Sequence, residues 1–380
     1  MKGSIRQRSK GSYQIRYEGP SDGTGKRKFL SETIKGSKKG AERVLRERLS
    51  AIENGGYVPR DKETVSDFMQ RWLDTYAATN TTLRTQEGYR GNIQRYINPA
   101  IGSVTVQTLT ARHIQGMYAG MLERGLSNRT ALHVHRVPRK ALADGVKWGL
   151  LARNVADATT PPRPERKQVE MWDSETANRF LEAAQESRFY GLYQLAILTG
   201  MRRSELCGLK WENVDLVSGR LSVVRTLQRI PGMGLVEGLP KTPRSRRSIS
   251  LGPEGVSLLH TLRGQQIEQS LVAGPLWQNT GYVFTQADGT PVDPESVSKD
   301  FCAIVRKAGL PHLTLHGLRH AHATGLMVTG ANPKVVSERL GHSNIAITMD
   351  IYSHVLPGLQ EEAALLAEKW LLRGRPPATD

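Results

Sequence analysis

The chain has 380 residues, with 53 Lys and Arg against 36 Asp and Glu, and a formal net charge of +17. This length exceeds the roughly 250 to 300 residues that one hydrophobic core serves, so we expect two or three domains. The excess positive charge indicates a polyanionic partner, with nucleic acid as the first choice. A transmembrane protein is excluded, because no apolar run approaches the roughly 20 residues of a bilayer span.

The N-terminus and the cysteine content bear on the compartment. The opening residues MKGSIRQRSKGSYQ lack the apolar stretch of a signal peptide, so we expect a cytoplasmic protein. The chain has two cysteines, Cys207 and Cys302, each inside an otherwise apolar or helical stretch. They are too few for a disulfide framework or a four-ligand zinc site, and we expect them to be small core residues.

The first segment, residues 1–58, is the most basic part of the chain. Residues 1–60 hold 15 Lys and Arg and 6 Asp and Glu, which accounts for more than half of the net charge. Tyr13, Ile15 and Tyr17 alternate with polar residues as in a half-buried strand, and a second strand is predicted in KRKFLSETI. An amphipathic helix is predicted in SKKGAERVLRERLSAIENGG. A small sheet backed by one helix can lay basic strands in a DNA groove, which favours a binding domain over a solvated basic tail.

The second segment, residues 63–160, is predicted to be all helical. A capping box at Thr64 and Asp67 marks the start of the first helix. Pro99 is expected to end the second helix. Pro138 is expected to kink the fourth helix, which predicts that this element is divided into two shorter ones.

The rest of the chain combines a linker with a mixed α/β segment. Residues 161–169, PPRPERKQV, are rich in proline and basic side chains, which predicts an extended linker. In residues 170–380, a buried helix is expected to break at Thr199-Gly200. Two strands are predicted in GRLSVVRTLQRI and RSRRSISL, joined by a turn-rich stretch that contains Lys241.

Five short motifs follow one another in this last segment: TGMRRSEL, PKTPRSRR, HGLRH, LGHS and IYSHV. Each is weak alone, but their order and spacing resemble the signature boxes of the tyrosine site-specific recombinases, the phage integrase family. The resemblance covers essentially the whole chain. It implies a multidomain α+β fold with a β-sheet-plus-helix arm-type DNA-binding domain at 1–58 and a helical, SAM-like core-binding domain at 63–160. A mixed α/β catalytic domain with a C-terminal packing helix follows at 170–380.

The same resemblance assigns roles residue by residue. Tyr352 in IYSHV corresponds to the nucleophile of the family. The other catalytic positions that the motifs imply are Arg202, Lys241, His316, Arg319 and His342, with Glu205 in a supporting role. Arg203 adjoins Arg202, but the spacing after Thr-Gly favours Arg202. Neither a cofactor nor a metal ion is implied.

These residue types suit cleavage of a phosphodiester without metal. Planar guanidinium groups such as those of Arg202 and Arg319 bind phosphate oxygens bidentately as negative charge accumulates on them. A tyrosine, whose ordinary pKa is about 10, needs positive neighbours or a base before it attacks, and His316 is the candidate base. Lys241 is the expected general acid for the leaving 5′ oxygen. Covalent attachment of the DNA conserves the bond energy, so the exchange needs no ATP.

A zinc site is a weaker interpretation of the histidines. His316 and His320 have the four-residue spacing of a zinc-binding helix, but no glutamate follows His316 as an HExxH motif requires. His320 is therefore expected to pack or to hydrogen-bond locally.

The predicted function is integration or excision of a phage or other mobile element through a 3′-phosphotyrosine intermediate. Two alternatives remain at this point, a type IB topoisomerase that relaxes DNA and a non-catalytic DNA-binding protein. The need for specific paired sites separates the recombinase from the topoisomerase, and covalent attachment separates both from a binding protein.

The expected partners follow from the resemblance. They are double-stranded DNA attachment sites of core type and arm type, a homotetramer assembled on that DNA, an excisionase and a host DNA-bending protein. The amphipathic segment LPGLQEEAALLAEKWLL after the tyrosine is expected to pack on a neighbouring protomer or to cap its own domain.

Overall fold

The structure is a computed structural model, and it describes the greater part of the chain. The described residues are 3–19, 29–53, 58, 61–165, 172–240, 245–346, 348–349, 364–365, 367–369 and 371. The chain divides into two compact units, Met1–Lys167 and Gln168–Asp380. Within the described part, every helix is too short or too polar to cross a bilayer.

The first unit begins with an antiparallel sheet and one helix. Its elements are β1 (Gly3–Ser9), β2 (Ser12–Glu18), β3 (Phe29–Lys35) and α1 (Lys38–Glu53), with strand order β1-β2-β3. Ile15 and Tyr17 are fully buried, as their alternation predicts, and cluster with Ala41 of α1. β1 was not predicted, because its sequence GSIRQRS has Ile5 as its one apolar residue and that residue is only partly buried.

The remainder of the first unit is helical, as predicted. Its helices are α2 (Val65–Trp72), α3 (Ala78–Asn80), α4 (Leu83–Asn92), α5 (Asn98–Ile101), α6 (Ala111–Glu123) and α7 (Asn128–Lys147). Two π-helical turns, Leu73–Ala77 and Ile93–Ile97, carry α2 into α3 and α4 into α5. The predicted cap is present, since the Asp67 backbone N–H donates to the Thr64 hydroxyl at 3.2 Å.

Both prolines of this helical part lie within helices, which corrects the sequence-based expectations. Pro99 lies within α5, which follows the π-helical turn Ile93–Ile97 without a break and continues to Ile101, so it does not end the helix at that point. Pro138 lies inside α7, which remains one helix rather than two. A proline in a helix costs about 3 kcal/mol. Each fully buried apolar side chain contributes about 1.5 to 3 kcal/mol, and α7 buries a long face that includes Val134, Val137 and Leu142.

The second unit mixes helices with two small sheets. Its helices are α8 (Ser174–Ala183), α9 (Tyr190–Thr199), α10 (Arg203–Cys207), α11 (Pro253–Ala273), α12 (Pro294–Lys307), α13 (Leu315–Val328) and α14 (Pro333–Leu340). Its strands are β4 (Val214–Asp215), β5 (Arg220–Val223), β6 (Thr226–Ile230), β7 (Gly234–Gly238) and β8 (Arg247–Ser250). The apolar helix α9 lies in the main core, and Cys207 is buried in the same cluster. The expected class, a multidomain α+β protein, is confirmed.

The strand pattern of this unit differs from the prediction of two strands. The stretch GRLSVVRTLQRI divides into β5 and β6, and the stretch expected to be rich in turns contains β7. β5 pairs with β4 and β8, whereas β6 pairs with β7 as a separate hairpin. The hairpin turns through Gly232 and Gly234, whose φ values of +75° and +77° suit glycine. Periodicity alone did not reveal that the two halves of one apolar run belong to different sheets.

Candidate active site

Arg202 is placed by a tight turn between two helices. α9 ends at Thr199, and Gly200 adopts the left-handed conformation with φ +64°. A Cβ atom at Gly200 would lie 2.6 Å from atoms of both His322 and Leu340, so a larger residue does not fit. Arg202 then follows in an extended conformation as the N-terminal cap of α10. The predicted helix break at Thr199-Gly200 is therefore what positions the arginine.

Glu205 holds Arg202 from inside the protein. The Arg202 Nη1 donates to Glu205 Oε1 at 2.7 Å, and the Arg202 backbone N–H donates to Oε2 at 2.9 Å. Glu205 is 2% exposed. Burial by itself raises the pKa of this carboxyl, but hydrogen bonds and charge from Arg247 and Arg202 outweigh it and lower the pKa below its ordinary value. Glu205 is thus a buried anion that holds the Arg202 side chain and main chain.

Arg319 reaches the same place from α13. Its side chain is buried, and its Nη1 donates to the carbonyl of Gly200 at 2.8 Å. Its Nη2 donates to the carbonyl of Leu340 at 2.5 Å. Burial, reinforced by the positive charge of Arg202, lowers the pKa of Arg319 to about 9. The group remains charged at neutral pH but in an unfavourable, desolvated setting.

The two arginines lie on adjacent carbonyl groups at the end of α14. Arg319 binds that of Leu340, and Arg202 Nη2 donates to that of Gly341 at 3.2 Å. Gly341 ends the helix in a left-handed conformation, and His342 follows directly. Two guanidinium groups held side by side repel one another and attract a bound anion. The site therefore suits a phosphate, whose oxygens accept bidentate hydrogen bonds from guanidinium groups.

The two predicted histidines flank these arginines in neutral form. Desolvation, together with the charges of His320 and Arg319, lowers the pKa of His316 to about 4, although the residue keeps an exposed edge. Desolvation and the charges of Arg319 and Arg202 lower the pKa of His342 to about 4. His342 Nδ1 is 2.8 Å from the Thr348 hydroxyl, which fixes the ring. A neutral imidazole at neutral pH can accept a proton on one nitrogen, which is the role expected of His316.

Two of the predicted site residues lie outside the described residues. These are Lys241, which precedes β8, and Tyr352, which follows His342 in the sequence. Their roles therefore stay predictions. The packing of the C-terminal segment also stays a prediction, because most of its residues lie outside the described ranges as well.

The structure distinguishes Arg202 from Arg203 and places His320 against His316. Arg203 Nη1 donates to the Ser298 hydroxyl, whereas Arg202 donates to Glu205 and to the carbonyl of Gly341, so Arg202 is the member of this arginine pair that faces the site. His320 lies edge-on to His316, with ring centroids 5.2 Å apart. Among the residues that the structure describes, no group of three or more His, Cys, Asp or Glu side chains is placed to hold a metal ion.

Sequence reasoning missed Arg247. It belongs to the PKTPRSRR motif, in which Lys241 alone was singled out. In β8 its side chain shares the inward face with the buried Ile249, and it is itself 6% exposed. The alternation of a strand beginning at Arg247 is the signal that indicates an inward guanidinium.

A half-buried histidine beside the site makes folding stability depend on pH. His322 Nδ1 is 2.8 Å from the carbonyl of Ile197, and its Nε2 accepts from Arg339 Nε at 3.3 Å. These partners imply a neutral ring with the proton on Nδ1. Burial, reinforced by the charge of Arg339, lowers the pKa of His322 to about 4. A second proton would place two positive groups face to face.

We expect the unfolding temperature to fall as the pH is lowered from about 6.5 towards 4. The unfolded chain binds protons at the ordinary histidine pKa of about 6.5, whereas folded His322, His316 and His342 resist protonation to about 4. Calorimetry across this pH range should show a smaller fall in the unfolding temperature for His322→Gln than for wild type. His260→Gln, a change at an exposed position of α11, is the matched control. If the unfolding temperature falls equally with pH in all three proteins, His322 is not a source of the pH dependence.

Comparisons with known protein families and curated proteins match most of the chain. Residues 170–358 match the model of the Phage integrase family, and residues 64–122 match that of the Phage integrase N-terminal SAM-like domain. A "Tyrosine recombinase XerC-like" protein of Caldanaerobacter subterraneus subsp. tengcongensis is 32% identical over 339 residues. The match covers 84% of this chain and 87% of that relative.

Solved structures match the fold of the chain at lower identity. The Tn1549 transposon integrase in complex with a circular intermediate DNA superposes with a TM-score of 0.68 at 22% identity, over 80% of this chain and 99% of that one. A lambda integrase tetramer bound to a Holliday junction gives a TM-score of 0.58 at 18% identity, over 91% and 94% of the two chains. At these identities the likeness is one of fold.

Proposed function

Because the chain belongs to the phage integrase family of tyrosine recombinases, we propose that it integrates or excises a phage or other mobile element at specific DNA sites. As a tyrosine recombinase it is a DNA strand transferase that acts by site-specific recombination. The comparisons give no support to a topoisomerase that relaxes DNA or to a DNA-binding protein without catalytic activity. The proposal concerns the element it moves, the residues that carry the reaction and the assembly in which they act.

The observation that carries this mechanism is the pairing of Arg202 and Arg319 on adjacent carbonyls of α14. Each guanidinium is fixed before any DNA arrives, Arg202 by Glu205 and Arg319 by two carbonyl groups. Preorganised positive groups stabilise the charge that develops on the non-bridging oxygens of a pentacoordinate phosphate. We assign these oxygens to the two arginines, with His342 as a further hydrogen-bonding group.

The chemical steps follow from the residue types. The Tyr352 hydroxyl oxygen attacks the phosphorus, and His316, neutral at the working pH, accepts the phenolic proton. The bond from phosphorus to the 5′ oxygen breaks, and Lys241 gives that oxygen a proton. The DNA strand is now joined to the protein as a 3′-phosphotyrosine. In the second half, a 5′ hydroxyl of the partner strand attacks this ester and releases Tyr352, so neither ATP nor a metal ion is consumed.

We test this function by trapping the covalent intermediate. Wild-type protein is incubated, without metal, with nicked duplexes tiled across the ends of the element and its insertion site. A nick next to the scissile phosphate lets the short cleaved strand diffuse away, so the adduct accumulates. A denaturant-resistant protein–DNA adduct on a minority of duplexes supports a site-specific strand transferase. Adducts at equal yield on every duplex point to relaxation without site choice, and no adduct on any of them contradicts the function.

The partners proposed for the reaction are DNA and further copies of the chain. The net charge of +17 supports a DNA ligand and predicts binding that weakens steeply with salt. We propose a homotetramer on paired core-type sites, by analogy with the lambda integrase tetramer on a Holliday junction. An excisionase, a host DNA-bending protein and a cytoplasmic location belong to the same proposal.

The N-terminal sheet is proposed to bind arm-type sites through the face that α1 leaves free. The buried Ile15 and Tyr17 turn one face of the sheet towards α1. On the other face Arg6 pairs across the strands with Gln14, and Arg16 lies in the next row. Arginine and glutamine are the side chains that bind base edges bidentately in a major groove. This face of the sheet therefore suits recognition of the DNA base sequence as well as electrostatic attraction to the phosphates.

For the double variant Arg6→Ala/Arg16→Ala, we expect about 100-fold weaker binding to arm-type duplexes, since each lost base contact costs about 1 to 3 kcal/mol. Adduct formation on a core-type duplex should be unchanged. The control Arg43→Ala/Arg46→Ala removes the same charge from exposed positions of α1. Fluorescence anisotropy at several salt concentrations measures both variants, and equal losses would show that the sheet face contributes charge alone.

A further inference from the structure

Arg247 is a third guanidinium beside Arg202 and Arg319, and it is turned into the protein. Its Nη1 and Nη2 donate to Oε1 and Oε2 of Glu205 at 3.2 and 3.0 Å. Its Nε donates to the carbonyl of Arg339 at 2.6 Å, and Nη1 also reaches the carbonyl of Ser245 at 3.1 Å. Every nitrogen of the group donates within the protein, and the side chain is 6% exposed. All three nitrogens of Arg247 are therefore engaged within the protein.

Three consecutive carbonyl groups at the end of α14 each accept from a different arginine. The pairs are Arg247 with the carbonyl of Arg339, Arg319 with that of Leu340 and Arg202 with that of Gly341. This row of carbonyls sets the spacing of all three guanidinium groups. The same hydrogen bonds fix the main chain immediately before His342. Arg202, Arg319 and His342 are therefore all positioned by the end of α14.

The contact between β8 and α14 is reciprocal. Arg247 of β8 binds the main chain of α14 at Arg339, and Arg339 Nη1 returns a hydrogen bond to the carbonyl of Ser250 in β8 at 2.9 Å. Arg339 also donates to the carbonyl of Leu198 at 3.1 Å and to His322. Planar guanidinium groups hold such geometry with little freedom. The end of α14 is consequently tied to β8, α9 and α13.

Glu205 is shared equally between the two arginines on either side of it. Oε1 accepts from Nη1 of Arg202 and Nη1 of Arg247, while Oε2 accepts from the Arg202 backbone and Nη2 of Arg247. A carboxylate this deeply buried stays charged because it is paired and hydrogen-bonded. Without Arg247, two of its four hydrogen bonds are lost, and among the described residues Arg202 is the guanidinium that still hydrogen-bonds to it. Arg202 would then be drawn more closely onto Glu205 and away from the position that meets the phosphate.

We propose that Arg247 is a positioning residue for the strand-transfer reaction. It fixes Glu205 and the last turn of α14, and through them it sets where Arg202 and His342 meet the scissile phosphate. The proposal rests on the function proposed above and adds to it a residue that touches no DNA.

The test measures single-turnover adduct formation at saturating protein, on the nicked duplex that wild type cleaves best. We expect the rate constant to fall about 100-fold for Arg247→Met, because a displacement of about 1 Å in a catalytic group has this cost. Arg247→Lys should recover part of the loss, since one ammonium group replaces some of the hydrogen bonds. Arg246→Met is the matched control, because it removes the same charge from the exposed neighbouring residue.

Rate constant and amplitude separate positioning from mere folding. A variant that only folds less completely gives a smaller amplitude with the wild-type rate constant, whereas mispositioned groups slow the step in folded protein. Thermal unfolding of each variant reports the folded fraction. If Arg247→Met does not fold, Arg247→Lys carries the test alone. A wild-type rate constant in the folded variants overturns the proposal.

A double-mutant cycle tests whether Arg247 acts through Arg202. If it does, Arg202→Ala combined with Arg247→Met loses clearly less than the product of the two single losses, and the remaining loss is the part that acts through the end of α14 and His342. Losses that multiply overturn the proposal, because they mean that Arg247 acts independently of Arg202. Absence of any adduct with wild-type protein is a different outcome, since it refutes the proposed function and this inference with it.

Discussion

Tyr352→Phe is expected to bind attachment-site DNA with wild-type affinity and to form no covalent adduct. Phenylalanine keeps the ring but lacks the oxygen that becomes the ester, so no residual rate is available by this route. A nucleophile acts as one unit with its activating groups, and its removal typically costs on the order of 10⁶ in rate. The loss should thus fall below detection in a denaturing gel that resolves free protein from the adduct.

Tyr190→Phe is the matched control for this change. Tyr190 lies at the start of α9 in the same unit and is partly exposed. The Tyr190→Phe variant also loses one phenolic oxygen but should form the adduct at the wild-type rate. An adduct that persists in Tyr352→Phe shows that the nucleophile is another residue. Loss of DNA binding in Tyr352→Phe indicates a folding defect in that variant, and the missing adduct then does not identify the nucleophile. Mass spectrometry of the wild-type adduct after nuclease digestion identifies the modified residue directly.

Arg202→Ala is expected to lower the single-turnover rate of adduct formation by about 1,000-fold. One lost donor to a developing oxyanion costs about 10²- to 10³-fold, and a full guanidinium on a transferring phosphate contributes about 10³- to 10⁵-fold. Stability should change little by comparison, because Glu205 keeps its two hydrogen bonds from Arg247. Arg202 is also the more accessible of the two paired arginines, with 32% of its side chain exposed.

Arg203→Ala is the control for the adjacent charge. It deletes a guanidinium one residue away, whose contact is with Ser298. Adduct formation at saturating protein should stay within about threefold of wild type, as for a charge that does not contact the phosphate. A loss in Arg203→Ala as large as that in Arg202→Ala would contradict the assignment of Arg202 and point to a general effect of charge.

Local pattern was enough to predict most of the elements of this chain. The alternation of Tyr13, Ile15 and Tyr17 predicted β2, because a half-buried strand repeats every second residue. The cap at Thr64 predicted the start of α2, because a side-chain oxygen there satisfies a free backbone N–H. The prolines misled where buried contacts outweighed one lost hydrogen bond, as in α7. The split of one apolar run into β5 and β6 depended on partner strands that lie elsewhere in the chain.

The sequence by itself determined which residue types are available for the reaction and in what order they occur. The motifs from TGMRRSEL to IYSHV name the arginines, histidines and tyrosine through their resemblance to the family, and these residue types suit phosphoryl chemistry. The tertiary structure alone decided which of them meet and what supports them. Arg247 shows the difference: the hydrogen bonds that give it a role join β8 to Glu205 and to the end of α14. Contacts between residues so distant in sequence arise from packing, and no local period encodes them.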